Sequence, residues 1–225
     1  MSETLRILEM PVRPDPRLVA EFATMVTAHL SDSMERLYAA GAGLRPMHGG
    51  GVLAGPALTV KTAPGDNLLV HKALDIAAPG DVIVVDAGGY ADAAIIGEIM
   101  SRWAAHRGIA GLVIWGAIRD SQEIRGGTFP VYACAATHRG PYKNGPGEIN
   151  VPVVVAGMSV HPGDIVVGDA DGIVAVPLAI ADRVLASAKA IRAKEAVVMR
   201  EIEAGTLDRA WVDDTLRRKG YRLRD

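Results

Sequence analysis

Two short segments carry groups whose types and spacing could do chemistry together: Gly97-Glu98-Ile99-Met100 and Gly116-Ala117-Ile118-Arg119-Asp120. The first reads as the opening turns of a helix, where free backbone N–H groups and the positive helix end suit a small carboxylate. The second follows an apolar run that reads as a strand. Arg119 can hold an oxyanion with its planar fork, and Asp120 offers a hard oxygen ligand for Mg²⁺ or a similar cation. The same residues also fit a plainer account, a surface Arg–Asp pair and a glycine that lets two helices approach.

Other chemical patterns fail. The six histidines never fall into a metal-ligand spacing such as H-E-x-x-H, and the chain has no G-x-S-x-G elbow and no phosphate-binding P-loop. Asp86-Ala87-Gly88-Gly89 lacks the third glycine and the ribose-binding acid of a dinucleotide loop, so it reads as a strand-end turn. Lys61, Lys72 and Lys143 lie in no recognisable Schiff-base context. The single cysteine, Cys134, excludes an intrachain disulfide framework and a multi-cysteine zinc site, and it fits a reducing cytoplasm.

The elements that must position the two segments alternate in type. Val82–Val85 is a wholly apolar, β-branched run, the pattern of a strand buried on both faces. A helix is predicted from about Ala94 to Arg107, then a strand from Gly111 to Trp115, with a third strand from Pro130 to Ala133. Strand, helix, strand at this spacing is a right-handed parallel βαβ unit, and ligands collect beyond the carboxyl ends of such strands. Upstream, residues 1–15 read as an extended arm. Helical spacing runs from Pro16 to about Ala40, with a second helix capped by Ser31-Asp32-Ser33. Residues 43–51 read as a loop, 52–60 as a strand broken at Gly55-Pro56, and 66–77 as a helix. Downstream, 151–158, 164–169 and 172–177 are short strands of an antiparallel region. A long helix is predicted from Leu178 to Glu203, and residues 206–219 form another.

The chain of 225 residues has 24 Lys plus Arg against 26 Asp plus Glu, a balance without the electrostatic footprint of a nucleic-acid or membrane-surface binder. Nothing resembles a signal peptide or an 18-residue apolar span, so a cytoplasmic protein is expected. We read residues 1–225 as one α/β domain: an arm and helices to residue 40, an α/β core over 41–177, and C-terminal helices over 178–225.

The run GDVIVVDAGGYADAAIIGEIMSRWAAHRGIAGLVIWGAIRD (80–120) resembles the metal-dependent pyruvate aldolases that cleave 4-hydroxy-4-methyl-2-oxoglutarate and 4-carboxy-4-hydroxy-2-oxoadipate. Their superfamily also holds the regulators of ribonuclease activity A. The likeness continues through DNLLVHKAL (66–74), GEINVPVVVAG (147–157), PGDIVVGDADGIVAVP (162–177) and Lys194-Glu195. It implies a layered α/β fold of the swivelling β/β/α kind, assembled as homotrimers or homohexamers with active sites between subunits. It implies that Asp120 ligates Mg²⁺ or Mn²⁺ and that Arg119 binds substrate and stabilises an enolate. Glu98 would hold water of the metal's shell, and the backbone amides of Gly97, Glu98, Ile99 and Met100 would take a pyruvyl carboxylate. Glu195 would act across a subunit interface, again on metal-bound water.

One position departs from the family pattern. Where these aldolases commonly read Asp-Gly before Arg-Asp, this chain has Trp115-Gly116. Trp115 either shapes the pocket for a different substrate tail or closes the strand as a core aromatic. The ribonuclease regulators resemble this chain but lack the acid after the arginine and end before the long helices, whereas Asp120 and Glu195 are present here.

The implied reaction is cleavage of a 4-hydroxy-2-oxo acid to pyruvate and a second carbonyl product, with oxaloacetate decarboxylation as a side activity because both pass through the pyruvate enolate. Alternatives are a non-catalytic regulator that binds an RNA-processing enzyme, and a metal-dependent lyase or hydrolase acting on another keto- or hydroxy-acid.

Overall fold

In the computed structural model, which describes residues 5–223, one mixed sheet dominates. Its strands run in the order β1 (Arg45–Pro46), β5 (Val131–Ala136), β4 (Gly111–Ile118), β3 (Val82–Ile96), β2 (Leu53–Thr62), β9 (Ile165–Gly168) and β10 (Ile173–Val176). A further strand, β6 (Gly147–Ile149), pairs with β2, and a separate hairpin joins β7 (Val153–Val155) to β8 (Met158–Val160). Helices α3 (Leu68–Ile76), α4 (Glu98–His106) and α5 (Ser121–Arg125) connect β2, β3, β4 and β5, which are mutually parallel. Two short helices, α1 (Pro16–Phe22) and α2 (Thr27–Asp32), precede the sheet; α6 (Ala181–Glu203) and α7 (Ala210–Arg218) follow it.

The apolar strands read as buried on both faces, and they are. Ile83, Val85, Leu112, Ile114, Val131 and Ala133 point to one side, where α3, α4 and α5 cover them with Val70, Leu74, Met100, Ala104 and Ile124. Their neighbours Val82, Val84, Val113 and Tyr132 point to the other, onto Val153, Val155, Met158 and Val160 of the β7–β8 hairpin. That alternation is the two-residue period of an extended chain. A third cluster joins β9 and β10 to α1, α2 and the opening turns of α6, through Phe22, Leu30, Val167, Val176 and Val184.

Residues up to Ala188 form one compact unit; those from Lys189 form a second, made of the rest of α6 and α7. In the second unit Val197, Met199, Ile202 and Trp211 are large apolar side chains left exposed. Among the described residues no helix is long and apolar enough to cross a membrane.

Several boundaries differ from the sequence reading. The second predicted helix, carrying Met34, Leu37 and Tyr38, does not form. Ser31 and Asp32 instead end α2, and Glu35 and Arg36 take left-handed backbone (φ 54° and 64°), which stops a helix. Strand β2 continues through Gly55-Pro56, because Gly55 and Pro56 pair with Val166 and Ile165 of β9. A Cβ on Gly55 would strike the carbonyl of Gly80, so glycine permits that close approach. The stretch 151–158 folds into a hairpin turned at Ala156-Gly157 rather than one strand.

The largest difference lies at β3. It pairs in register with β4 as far as Asp86 opposite Trp115, then spends ten residues reaching Ile96 while β4 spends three reaching Ile118. The surplus bulges out, with Gly88 and Gly89 both at φ 69°. Helix α4 therefore begins at Glu98, four residues after the predicted start at Ala94, and β4 runs three residues past the predicted end at Trp115.

Candidate active site

The bulge lets β3 and β4 end side by side. Arg119 donates its backbone N–H to the Ile96 carbonyl at 3.0 Å, so Gly97 and Arg119 leave the sheet as neighbours. Helix α4 then starts with Gly97 as its N-cap, which has no side chain to satisfy the first-turn N–H groups. Asp120 does part of that work from the next strand: its Oδ2 accepts from the Glu98 N–H at 2.9 Å. The N–H groups of Ile99 and Met100 have no acceptor within the helix.

Asp120 holds this position in left-handed backbone (φ 55°, ψ 40°) at the N-cap of α5, a conformation that Asp tolerates better than most residues. Arg119 Nε stands 3.7 Å from Asp120 Oδ2. A Cβ on Gly97 would strike Asp120 Oδ2 and approach Arg119 Cγ to 2.9 Å and Nε to 3.1 Å. The fit of Gly97, Arg119 and Asp120 thus depends on the missing side chain.

These groups face a cavity of about 310 Å³. Gly97, Ile99, Met100, Arg119 and Asp120 line it on one side of the chain's connectivity; Asn67 and His71 of α3 and the loop residues Gly140, Pro141 and Lys143 complete it. A second cavity of about 400 Å³ is lined by Arg119, Asp120, Ser121, Ala136, Thr137 and His138. Arg119 and Asp120 therefore border both spaces.

Of the predicted site residues, Gly97, Ile99, Met100, Arg119 and Asp120 come together at one cavity. Glu98 divides its roles: its N–H meets Asp120, while its carboxylate turns to Arg102, with Oε1 2.7 Å from Nη2 and 2.8 Å from Nε. The side chain is committed to an i,i+4 ion pair beside a different pocket, lined by Ser101, Arg102 and Glu123. Glu195 is an exposed residue of α6 in the second unit. Trp115 stands away from the cavity: its ring lies against Gly43 and Gly89 and packs on the apolar cluster of Leu44, Tyr132 and Val155. The core-aromatic account of Trp115 is the one the packing supports.

Sequence reasoning missed Asn67, His71 and Lys143. Asn67 is the residue before α3, a usual capping position, yet its side chain makes no cap. Asp66 caps instead, accepting from the Leu68 N–H at 2.9 Å, while Asn67 Nδ2 donates to the Ile95 carbonyl at 2.9 Å. His71 follows one helical turn later and so shares a face with Asn67. The signal was present in DNLLVHKAL, where Asn67 and His71 stand four apart, one helical turn. Burial, and then the nearby Lys143 ammonium, lower the His71 pKa from its ordinary value.

The donor set bears on the metal. Among the described residues no three His, Cys, Asp or Glu side chains gather as a ready-made cage. Of the residues lining the first cavity, Asp120 supplies the carboxylate. One hard oxygen beside an open cavity fits Mg²⁺ or Mn²⁺, which keeps waters and takes oxygens from a substrate; it does not fit a closed structural metal centre.

A mixed α/β core with its candidate site beyond the carboxyl ends of parallel strands is the class this geometry defines. Residues 27–175 match the family model described as RraA-like, Aldolase/RraA, and the chain belongs to that family. A relative from Halalkalibacterium halodurans, named "Putative 4-hydroxy-4-methyl-2-oxoglutarate aldolase", is 39% identical over 184 residues, covering 82% of this chain and 88% of its own. A crystal structure of an uncharacterized protein from Pseudomonas syringae pv. tomato superposes with a TM-score of 0.79 at 28% identity, over 89% of this chain and 94% of that one. Streptomyces coelicolor RraAS2, described as an unusual member of the RNase ES inhibitor RraA protein family, gives 0.75 at 30% identity, over 83% and 97%. A mixed α/β architecture with a curled sheet and a long C-terminal helix, here α6, is the RraA-like fold.

Proposed function

We propose that the protein is a divalent-metal-dependent pyruvate aldolase that cleaves a 4-hydroxy-2-oxo acid to pyruvate and a second carbonyl product, with oxaloacetate decarboxylation as a side activity. One observation carries the reading. A helix start with N–H groups that have no acceptor in the helix, a guanidinium and a carboxylate converge on one cavity around a glycine whose Cβ would displace Asp120 or Arg119.

Each residue has a distinct part. Asp120 would hold Mg²⁺ or Mn²⁺, and a cation bound there supplies Lewis-acid polarisation of the substrate's keto oxygen. The amides of Ile99 and Met100 bind the pyruvyl carboxylate. Arg119 stabilises the enolate oxygen as the C3–C4 bond breaks, because its fork is already set toward the site and pays no reorganisation at that moment. Gly97 keeps Arg119 and Asp120 within reach of those amides.

The base that removes the C4 hydroxyl proton is the least constrained part. Glu98 reaches the cavity only after leaving Arg102, an exposed pair that holds it weakly. Glu195 is the second acid, delivered to a neighbouring subunit's site in a homotrimer or a pair of trimers in the cytoplasm. The exposed Val197, Met199, Ile202 and Trp211 support burial of that helical unit against another surface.

The test is pyruvate release from a panel of 4-hydroxy-2-oxo acids in the presence of Mg²⁺ or Mn²⁺. Cleavage of at least one member, lost in Asp120→Ala, is expected; no release from any member contradicts the proposal. A second reading, a regulator that binds an RNA-processing enzyme, is favoured by the likeness to RraAS2. It gives no role to the fit between Gly97 and Asp120. Inhibition of an RNase E-type enzyme by the Asp120→Ala protein as well as by the wild type would support it.

A further inference from the structure

Every residue from Ile95 to Met100 lines the first cavity except Glu98. Its backbone is fixed there, because its N–H donates to Asp120 Oδ2 at 2.9 Å. Its carboxylate instead borders a pocket of about 260 Å³ beside α4 and α5. Arg102, one helical turn on, holds it: Nε and Nη2 both contact Glu98 Oε1, at 2.8 and 2.7 Å. An acid four residues before a base is the favourable order for such a pair on a helix. Glu98 thus has its backbone at the site and its charge held outside.

The hold is a light one. The Arg102 side chain is 79% exposed and that of Glu98 33%, so water screens the pair. A pair of this kind shifts an equilibrium by about two- to fivefold and does not lock it. Glu123 of α5 lines the same pocket. A guanidinium that Glu98 leaves therefore has a second carboxylate beside it, and no buried charge is stranded by the departure.

We propose that Arg102 is a positioning residue: it restrains Glu98, and so sets the rate of the proton-requiring reactions without touching decarboxylation. The proposal rests on the aldolase reading. Aldol cleavage needs a base, because the C4 hydroxyl loses its proton as C4–O becomes a carbonyl and the C3–C4 electron pair passes to the enolate. Exchange of the pyruvate methyl needs one too, since a C3 proton must leave before one from solvent takes its place. Oxaloacetate loses its C3–C4 bond differently. The electron pair passes to the enolate as CO₂ departs, with no proton to remove first. Releasing Glu98 therefore speeds the first two reactions and leaves the third as it was.

The experiment compares kcat for pyruvate methyl exchange into D₂O, read by NMR, with kcat for oxaloacetate loss, both with Mg²⁺ or Mn²⁺ at saturating substrate. Arg102→Met is expected to raise exchange about two- to fivefold while decarboxylation keeps its wild-type rate. Arg102→Lys, which retains a cation, should stay near wild type in both. About 0.5 M KCl, which screens an exposed pair, should shrink the difference between wild type and Arg102→Met. Glu98→Gln should lower exchange, and adding Arg102→Met to it should bring no gain, because the arginine acts only through that carboxylate. Arg36→Met, which breaks another exposed i,i+4 pair, with Asp32, should change neither rate.

An equal change of both reactions in Arg102→Met overturns the proposal and marks a disturbed helix start instead. Unchanged or slower exchange overturns it as well, as does a gain that persists in the Glu98→Gln background. If wild type catalyses neither exchange nor decarboxylation, the aldolase reading fails first and the role of Arg102 falls with it. Active wild type with an unmoved ratio in Arg102→Met removes the role of Arg102 alone.

Discussion

Asp120 Oδ2 accepts the Glu98 N–H at 2.9 Å, so a carboxylate at the end of one parallel strand caps the helix that follows its neighbour. The bond ties the proposed metal ligand to the proposed carboxylate-binding amides. It also separates two jobs of Asp120 that substitution can pull apart. Asp120→Asn keeps an oxygen able to accept from Glu98 and removes the charge, so stability should change little while Mn²⁺ binding, read by EPR, is lost. Asp120→Ala should lose the cap as well, at about 1 kcal/mol in chemical denaturation. Equal Mn²⁺ affinity in wild type and Asp120→Asn would contradict the ligand assignment.

Gly97→Ala tests the crowding around that bond. The added methyl strikes Asp120 Oδ2 and crowds Arg119, so one or both must move. Overpacking of this kind costs about 1–3 kcal/mol. Displacement of the site should lower kcat/KM by about 10²-fold, the scale for misplacing a positioned group by an ångström. Unaltered kinetics would show that the close fit has no part in function.

Arg119→Lys separates fork from charge. An ammonium cannot reproduce the planar guanidinium, so little activity should return relative to Arg119→Ala, and kcat should fall about 10²–10³-fold for cleavage and decarboxylation together. Mn²⁺ affinity should hardly change, since arginine is not a ligand. A variant that loses only one of the two reactions would contradict a shared enolate.

His71 should titrate below the ordinary imidazole value of 6.5, because burial and the Lys143 charge both disfavour its protonated form. Its NMR midpoint should rise in Lys143→Met, and only in part, because burial is the larger cause and remains. The linkage sign follows: a lowered folded pKa gives stability that is present above the unfolded pKa and lost as pH falls through the folded value. No upward movement in Lys143→Met would contradict the proximity of the two groups.

Arg13 pins the arm that precedes α1 to the start of β3. Its guanidinium pairs with Asp81, whose side chain is fully buried, with Nη2 3.0 Å from Oδ2. Asp81 also accepts from the Ala78 N–H at 2.9 Å, which gives the carboxylate partial compensation. Arg13→Ala should therefore cost about 2 kcal/mol in chemical denaturation, below the full penalty of a stranded buried charge because Arg13 is itself half exposed. A change under a few tenths of a kcal/mol would mean that water replaces the arginine without loss.

The parallel core was legible because Val82–Val85 and Gly111–Ile114 are apolar at every position, which only a strand covered on both faces requires. Arg119 and Asp120 were legible as a pair at a strand end. The bulge of β3 was not, since Asp86 to Tyr90 has the glycines of a turn, and only pairing with β4 shows that the strand resumes. Met34 to Tyr38 kept a helical period for a different reason: Met34 and Tyr38 pack against the β9–β10 cluster from an irregular turn, and tertiary contact imitates periodicity. Lys143 was invisible as a site residue because its place depends on Asp66, 77 positions earlier, and no local pattern records such a tie.

The central claim is that this cavity forms a pyruvate enolate with a divalent cation at Asp120. Exchange of the pyruvate methyl protons into D₂O tests it directly, without knowledge of the substrate tail. We expect Mg²⁺- or Mn²⁺-dependent exchange by the wild-type protein, abolished by exhaustive EDTA treatment and restored by added metal, and absent in Asp120→Ala. Exchange that persists at full rate after EDTA, or in Asp120→Ala, would contradict the account.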